Sequence, residues 1–554
     1  MRISEREYLS GRKNKFRQPI SRKICIFARK ENINEMKKIQ IWMMAAIRHW
    51  VLAFVFCIAM TAQAVEVSDS LETAFTSVGS VFYKFNYPSV NAAGEKVVLS
   101  SSLIAWAPRE PKETDSIESL HIYSHYTITA DKECPTSNLN YKDRAIFSLL
   151  VKSDYALGLD DDQNFISHCV VIAPDYQGYG ASRDMTHPYL AQELTARQVM
   201  DAVNYGLKLY QKHVNDKRAL QFKSTWRSFG YGFSQGAAVA LAVQRLMERQ
   251  GLDKTLRYRG TLCGDGPYDL IATVRYYVDD DGDSYGQKTN HRKGLNTMPM
   301  VVPMIAMGML DTHPDMKGHK LEDYFSQQFL DTGIIDWLKS KDFVVNDIHR
   351  KWYKQLEEGL EANGRTYTKE QMAELFMSPK KERVWAYLNK FFTPGLYEYM
   401  TNADNFIEVP TEKGDAYKDF HRALVENSVF AGWEPRHRIQ FVHSRGDMVV
   451  PFSNYLSFRD AHPAGEGDWY RIDESVTPSD HIGVGTEFFL FLITTGTYGK
   501  LFQWLDESAS TAIDAIHDTP ITNHSWFTID GRKLNGKPTQ KGIYIYNGKK
   551  IVVK

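Results

Sequence analysis

The chain has 554 residues, 43% of them hydrophobic and 13% aromatic, and its 67 basic side chains balance 67 acidic ones. Those fractions belong to a folded globular protein and exclude a disordered chain, a collagen or a coiled-coil rod. The length admits two to four domains, or one large domain with insertions, and a core of that size needs no disulfide support. The zero net charge hides an asymmetry, because residues 1–64 hold 13 of the basic side chains and 4 of the acidic ones. The remaining 54 basic and 63 acidic residues leave an acidic body, which argues against a general nucleic-acid binder.

The N-terminal 64 residues read as an extension and signal peptide. Met36-Lys37-Lys38 and Arg48 supply positive charge, Trp50–Met60 is an uncharged apolar run, and Ala62-Gln63-Ala64 is a small-x-small cleavage site. The run is too short to span a bilayer. Met36 or Met43 then reads as the start, and Val65 as the mature N-terminus. The competing reading is an anchored N-terminal helix, which Arg48 and His49 disfavour. Export through a signal peptide places the chain in the periplasm, at the cell surface or outside the cell. Cys134, Cys169 and Cys263 follow the extension and allow at most one disulfide; Cys169, in the apolar run HCVVIAPD, reads as a buried free thiol. No clustered Cys/His pattern points to a metal, and no cofactor is implied.

Further along, strand-like and helix-like patterns alternate. Val97–Trp106, Ser119–Thr129, Cys169–Ala173, Trp226–Phe233, Gln440–His443 and Trp469–Ile472 read as strands. Glu193–Leu209 and Gly236–Arg249 read as helices, the first with Leu194, Val199, Ala202, Val203 and Leu207 at helical spacing. This alternation implies an α/β fold with a mostly parallel central sheet. Residues 271–425 lack clear strands and read as a helical cap insertion over the sheet. The Met-rich stretch Met298–Met309 reads as cap core, with a pocket lining as the alternative. Asp279–Asp283 (DDDGD) lacks the spacing of a calcium loop and reads as a solvated acidic turn. The core therefore divides into residues 65–270 and 426–515, and a small β tail occupies 516–554.

Gly232-Phe233-Ser234-Gln235-Gly236 is a G-x-S-x-G motif between a strand-like run and a small-residue helix. That context makes a sharp turn that exposes Ser234 Oγ at the carboxyl edge of the sheet. A serine hydroxyl needs an adjacent base. The order Ser, acid, His is met by Asp447, on the loop after the strand Ile439–His443, and by His481, thirty-four residues later and just ahead of a helix over Thr486–Thr494. In this reading Asp447 orients His481, and His481 takes and returns the Ser234 proton. Asp473 and Asp480 are the rival acids. Two backbone N–H groups would complete an oxyanion hole: that of Gln235, and that of Tyr126 or Thr127 in the segment Ser124-His125-Tyr126-Thr127. His125 reads as structural, beneath the site.

The residues Ala173-Pro174-Asp175-Tyr176-Gln177-Gly178-Tyr179-Gly180, His187-Pro188-Tyr189-Leu190, Tyr231–Ala237, Gly266–Leu270, Gly446-Asp447 and Asp480-His481 resemble the secretory-lipase branch of the α/β-hydrolases. The resemblance covers about residues 95–270 and 425–500. It implies the α/β-hydrolase fold, a serine esterase acting on small-molecule or lipid carboxylic esters, and a helical cap over the acyl pocket. Tyr126 departs from the family, which usually has glycine after that histidine. The segment Phe527–Lys533 with Lys541–Lys554 resembles the sorting tail of type IX secretion in Gram-negative bacteria, which would make secretion machinery a partner.

Three functions fit these features in different degree. A secreted ester hydrolase accounts for all of them. A serine peptidase of the prolyl-oligopeptidase kind shares the triad order but usually carries an N-terminal propeller, for which the 35 or so residues after Val65 leave no room. A non-catalytic hydrolase fold typically loses a member of the triad, and all three members are present. Nothing in the sequence sets the acyl chain, the alcohol or the oligomeric state.

Overall fold

A computed structural model of the chain describes residues 81–108, 110–137, 168–217, 219–282, 285, 288–473, 480–485, 488, 504–506 and 538, and the backbone alone of residue 80 and of the strands at 74–75, 526–528, 533–534, 542–546 and 549–553. The expected signal peptide, Asp283 and most of the helix expected over Thr486–Thr494 lie outside the described residues.

In chain order the strands of the first half are β1 (Ala74–Phe75), β2 (Ser80–Val90), β3 (Lys96–Trp106), β4 (Ile117–Ser124), β5 (Cys169–Pro174), β6 (Phe222–Phe233) and β7 (Tyr258–Gly264). The middle of the chain adds β8 (Leu295–Asn296), β9 (Leu360–Ala362), β10 (Arg365–Tyr367), β11 (Phe376–Lys380) and β12 (Arg383–Tyr387), and the last part adds β13 (Arg438–Val442) and β14 (Tyr470–Asp473). Nine of these form one sheet in the order β1-β2-β3-β5-β4-β6-β7-β13-β14. The pairs from β5 to β14 are parallel, and β1, β2 and β3 add an antiparallel edge. Parallel strands are covered on both faces, so they read as unbroken apolar runs; all of β5 (CVVIAP) is buried. Helices Gln192–Asn215 and Gln235–Gln250 pack against one another and the sheet through Val199, Ala202, Val203, Ala238, Ala242 and Met247. Cys134, Cys169 and Cys263 are buried free thiols, and burial pushes the Cys134 thiol up to about 12.

The chain steps from β4 to its neighbour β5 on one side and then crosses to β6 on the other. The loops after β4 and β6 therefore part at their carboxyl ends and leave a crevice, the usual ligand position in an open α/β sheet. A second buried cluster covers this edge. It is built from residues 270–424 around Trp352, Phe329, Phe376 and Phe391, and Tyr189 and Leu190 join it from the first half of the chain. This insertion is not purely helical, as the sequence predicts it to be. β9 and β10 form a hairpin, and β11, β12 and β8 form a small sheet. The hairpin turns at Asn363-Gly364, both with positive φ (52° and 73°), which is the turn that an Asn-Gly pair favours. Strands of two to five residues carry too little alternation to register as a pattern. At the C-terminus, β15 (Trp526–Thr528), β16 (Lys533–Leu534), β17 (Gly542–Tyr546) and β18 (Lys549–Val553) form a four-stranded antiparallel sheet.

Buried titratable groups give the fold a pH dependence of known sign. Desolvation pushes His121, His187 and His349 down to about 3, and His125, His421 and His443 down to about 4. The folded chain thus refuses protons that the unfolded chain accepts near pH 6.5. Their contribution to stability is complete above pH 6.5 and is lost as the pH falls toward 3. Burial moves the carboxyls of Asp175 and Glu248 up, to about 6 and about 7, so their contribution is lost instead as the pH rises to neutrality. His291 and His437 are also pushed down and Asp201, Asp265, Asp269 and Asp311 also pushed up, so among the described residues eight imidazoles stand against six carboxyls and set the net sign. Stability, and with it Tm, is expected to fall between pH 6.5 and pH 4, each buried imidazole contributing up to ~1.4 kcal/mol per pH unit and the raised carboxyls offsetting part of the sum. Thermal unfolding followed by circular dichroism at pH 7 and pH 4.5 checks this, and equal Tm values would contradict it.

Candidate active site

Ser234 follows β6 and begins the helix Gln235–Gln250. Its backbone has φ 57° and ψ −126°, a conformation that side chains rarely adopt. The Ser234 N–H donates to the carbonyl of Gly264 (2.8 Å), which ties the turn to β7. The flanking glycines are required by close approach. A Cβ on Gly236 would lie 2.7 Å from the His125 carbonyl and nearer still to that of Ser124, and one on Gly232 would lie 2.8 Å from the Ser124 carbonyl.

His481 starts a helical turn over residues 481–485, and the exposed Asp480 caps that turn by accepting from the Gly483 N–H (2.9 Å). His481 Nε2 is 2.9 Å from Ser234 Oγ, and Nδ1 is 2.6 Å from Asp447 Oδ2. With Nδ1 protonated toward the carboxylate, Nε2 is left to accept the hydroxyl proton. Asp447 Oδ1 accepts from the N–H groups of Val449 (2.7 Å) and Val450 (2.9 Å), so the loop itself aims Oδ2 at the imidazole. The Tyr277 hydroxyl, from the helix Leu270–Asp279, donates to the Val449 carbonyl (2.5 Å) and fastens this loop to the cap. Burial pushes the Asp447 carboxyl up, but its surroundings, the His481 imidazole foremost, together hold the group below its ordinary value. The structure thus brings together Ser234, His481 and Asp447, and the rival Asp480 serves as a helix cap.

Thr127 borders the cleft that contains Ser234, whereas Tyr126 packs against the small cluster of Ile128, Cys134 and Tyr179. Of the two residues left open by the sequence, Thr127 is therefore the one on the cleft. Gln235 is the first residue of its helix, where backbone N–H groups have no intrahelical acceptor. Its side chain amide lies 2.9 Å from His187 Nε2, and His187 Nδ1 lies 2.9 Å from the Gln177 carbonyl, so the His187-Pro188 segment steadies the start of the helix. His125 stacks on Tyr176 (3.9 Å between centroids), and its ring nitrogens face the carbonyls of Tyr126 (2.7 Å) and Asp175 (3.1 Å), joining the loops after β4 and β5.

The cleft is walled by Leu190, Pro267, Met298, Val301 and Ile305 and has a volume of about 20 Å³. A second cavity of about 240 Å³ lies against Met304, Met307, Leu338 and Tyr179. Tyr189 lines both, and its hydroxyl is 2.8 Å from Thr127 Oγ1. The Met-rich stretch serves both uses considered for it: Met300 and Met309 are buried in the cap, while Met298 lines the cleft and Met304 and Met307 line the second cavity. The acidic turn is engaged in local bonds, with Asp279 paired to Lys293 and Arg275 and Asp280 accepting from the Gly282 N–H.

Sequence reasoning missed Asp265, which lies between Asp447 and His443 with its side chain fully buried. It follows β7 at the same carboxyl edge as Ser234, which is the signal that could have found it. Among the described residues, Asp265, Asp447 and His481 are the group with the spacing of metal ligands, their ligand atoms lying within 4.8 Å of one another. The bond between His481 and Asp447 already commits two of the three to each other.

Comparison with known proteins adds the fold. No family model matches the chain, and no curated protein matches it. One solved structure of the rice cell wall degrading esterase LipA from Xanthomonas oryzae has a TM-score of 0.55 at 18% identity, over 77% of this chain and 91% of that one. Another structure of the same esterase has a TM-score of 0.54 at 17% identity, over 75% and 89%. This chain has the α/β-hydrolase fold. Within this fold Ser234 lies on the sharp turn between β6 and the helix that follows it, Asp447 lies on a later loop of the chain, and His481 starts a later helical turn.

Proposed function

We propose that the chain is a serine hydrolase that cleaves carboxylic esters through an acyl-enzyme on Ser234. The observation that carries this reading is the run Ser234–His481–Asp447, joined at 2.9 and 2.6 Å, on a strained turn that opens into an apolar cleft under the cap. Ser234 Oγ attacks the ester carbonyl as its proton passes to His481 Nε2. The backbone N–H groups of Gln235 and Thr127 receive the developing oxyanion. Collapse expels the alcohol, which takes the proton back from His481, and water repeats the sequence to release the acid. The apolar walls suit an acyl group, and the esterase activity named for the structural neighbour supports the substrate class. The test is the initial rate of the purified protein on nitrophenyl esters from acetate to palmitate. Turnover that peaks at one acyl length supports the reading; no turnover on any ester, with turnover of peptide anilides, would replace it by a peptidase.

Tyr189 gives this reading a second handle. It lines both the small cleft at Ser234 and the larger cavity, so Tyr189→Ala is expected to open space between the two. The preferred acyl chain is expected to lengthen, and the decanoate-to-acetate ratio of kcat/KM to rise by about tenfold or more. An unchanged chain-length profile would exclude the larger cavity as acyl space.

For location, the basic and apolar segments between Met36 and Ala64 support export through a signal peptide, and the C-terminal strands support contact with secretion machinery. N-terminal sequencing of exported protein should begin near Val65.

A further inference from the structure

Two carboxyl groups, not one, meet the imidazole of the site. Asp265 follows β7 with φ 38°, and its N–H donates to the Val442 carbonyl (2.8 Å), which locks the residue against the end of β13. Its side chain is wholly buried. Oδ1 accepts from the Ser444 N–H (3.0 Å), on the loop that leads to Asp447. Oδ2 is buried without a hydrogen-bond partner, 3.8 Å from His481 Nδ1, and carboxyl oxygens of Asp265 and Asp447 lie within 4.8 Å of each other and of the imidazole. The titratable groups facing it are Asp447, His481, His443 and the Tyr268 phenol, and no lysine or arginine among the described residues is ion-paired with it. His443 Nε2 is 3.8 Å from Oδ1 but 2.9 Å from the Val450 carbonyl, and its burial keeps it neutral, pushed down to about 4.

Charge decides where the proton sits. Two carboxylates in contact and away from water cannot both ionise. The short bond from His481 Nδ1 commits the negative charge to Asp447, so the shared proton is left on Asp265. Burial first, and then the Asp447 charge, push the Asp265 carboxyl well above its ordinary value.

We propose that Asp265 is a positioning residue: a neutral carboxylic acid that donates a hydrogen bond to Asp447, holds that carboxylate toward His481 and leaves the pair a single negative charge. Asparagine reproduces this arrangement, because its amide N–H donates to Asp447 while its carbonyl oxygen accepts from Ser444. Leucine reproduces neither bond. The inference rests on the ester-hydrolysis reading for its kinetic arm only.

The experiment compares Asp265→Asn and Asp265→Leu with the parent protein. Leucine is expected to lower kcat by about tenfold or more with KM little changed, and asparagine to restore it to within about threefold of the parent. The acid limb of kcat/KM against pH is the discriminating readout. Asparagine in place of a neutral acid moves its midpoint by less than about 0.5 pH, whereas loss of a buried negative charge beside the imidazole would move it down by more. The downfield proton resonance of the His481 Nδ1–H, followed against pH in the parent and the asparagine variant, gives the same answer without a substrate. It therefore stands even if no ester is turned over, and it stands if the leucine variant fails to fold. A downward movement of 0.5 pH or more with asparagine, an asparagine variant as slow as a folded leucine variant, or a leucine variant as fast as the parent would each overturn the proposal.

Discussion

Alanine at Ser234 or at His481 is expected to lower kcat by about 10⁵–10⁶-fold, alanine at Asp447 by about 10⁴-fold, and the triple replacement by no more than the worst single one. In the proposed function the three side chains act as one device. Ser234 Oγ is a weak nucleophile until His481 Nε2, 2.9 Å away, accepts its proton, and His481 presents that nitrogen because Asp447 holds the other at 2.6 Å. Once any member is lost, the rest of the device has little left to contribute, so the losses do not add. Asp447 costs least because the imidazole remains beside Ser234 and only its orientation and charge compensation go. Steady-state rates on a short nitrophenyl ester, with circular dichroism to confirm folding, measure all four variants. Additive losses, or more than about 1% of activity remaining after Ser234→Ala, would contradict this reading.

Valine at Gly236 is expected to destabilise the protein by about 3 kcal/mol or more and to abolish turnover with it. The helix Gln235–Gln250 begins hard against the end of β4, and any Cβ at Gly236 drives into the backbone carbonyls of Ser124 and His125. Backbone cannot swing aside as the end of a long side chain can. The helix start must retreat, and Ser234, the Gln235 N–H and the loop after β4 move with it. Gly251, at the other end of the same helix, supplies the control. It lies in the left-handed region (φ 71°), and a Cβ added there would meet no atom within 4 Å, so Gly251→Asn should cost about 1 kcal/mol or less. Urea unfolding of the two variants gives the comparison; equal losses would show that close packing at the elbow is not what requires Gly236.

What was legible in the sequence was local. The elbow lies within five consecutive residues, its strand and helix adjoin it, β5 is an unbroken apolar run, and β4 and β6 place apolar residues at alternate positions over Leu120–Ile122 and Phe229–Phe233. Other elements failed for identifiable reasons. In β7, Arg259, Gly260 and Gly264 interrupt the apolar pattern, although the strand lies inside the sheet. β2 carries Pro88 and Lys84 on the antiparallel side, where one face need not be covered. The Asn363-Gly364 hairpin signal was present, but its strands are only three residues long. The choice between Tyr126 and Thr127 depends on which way a loop backbone turns, and residue type does not set that. Asp265 is the instructive miss. Its place beside Asp447 follows from β7 and β13 being neighbours, a pairing across 180 or so residues that no local pattern encodes.

The most direct test of the central claim is to treat the protein with a fluorophosphonate, which reacts only with a serine made nucleophilic by its surroundings, and to locate the adduct by intact mass and peptide mapping. The account predicts one adduct per chain, on the peptide that contains Ser234, forming in step with loss of ester hydrolysis and absent from His481→Ala. A chain that stays unlabelled, or a label on another serine while Ser234 remains free, would contradict it.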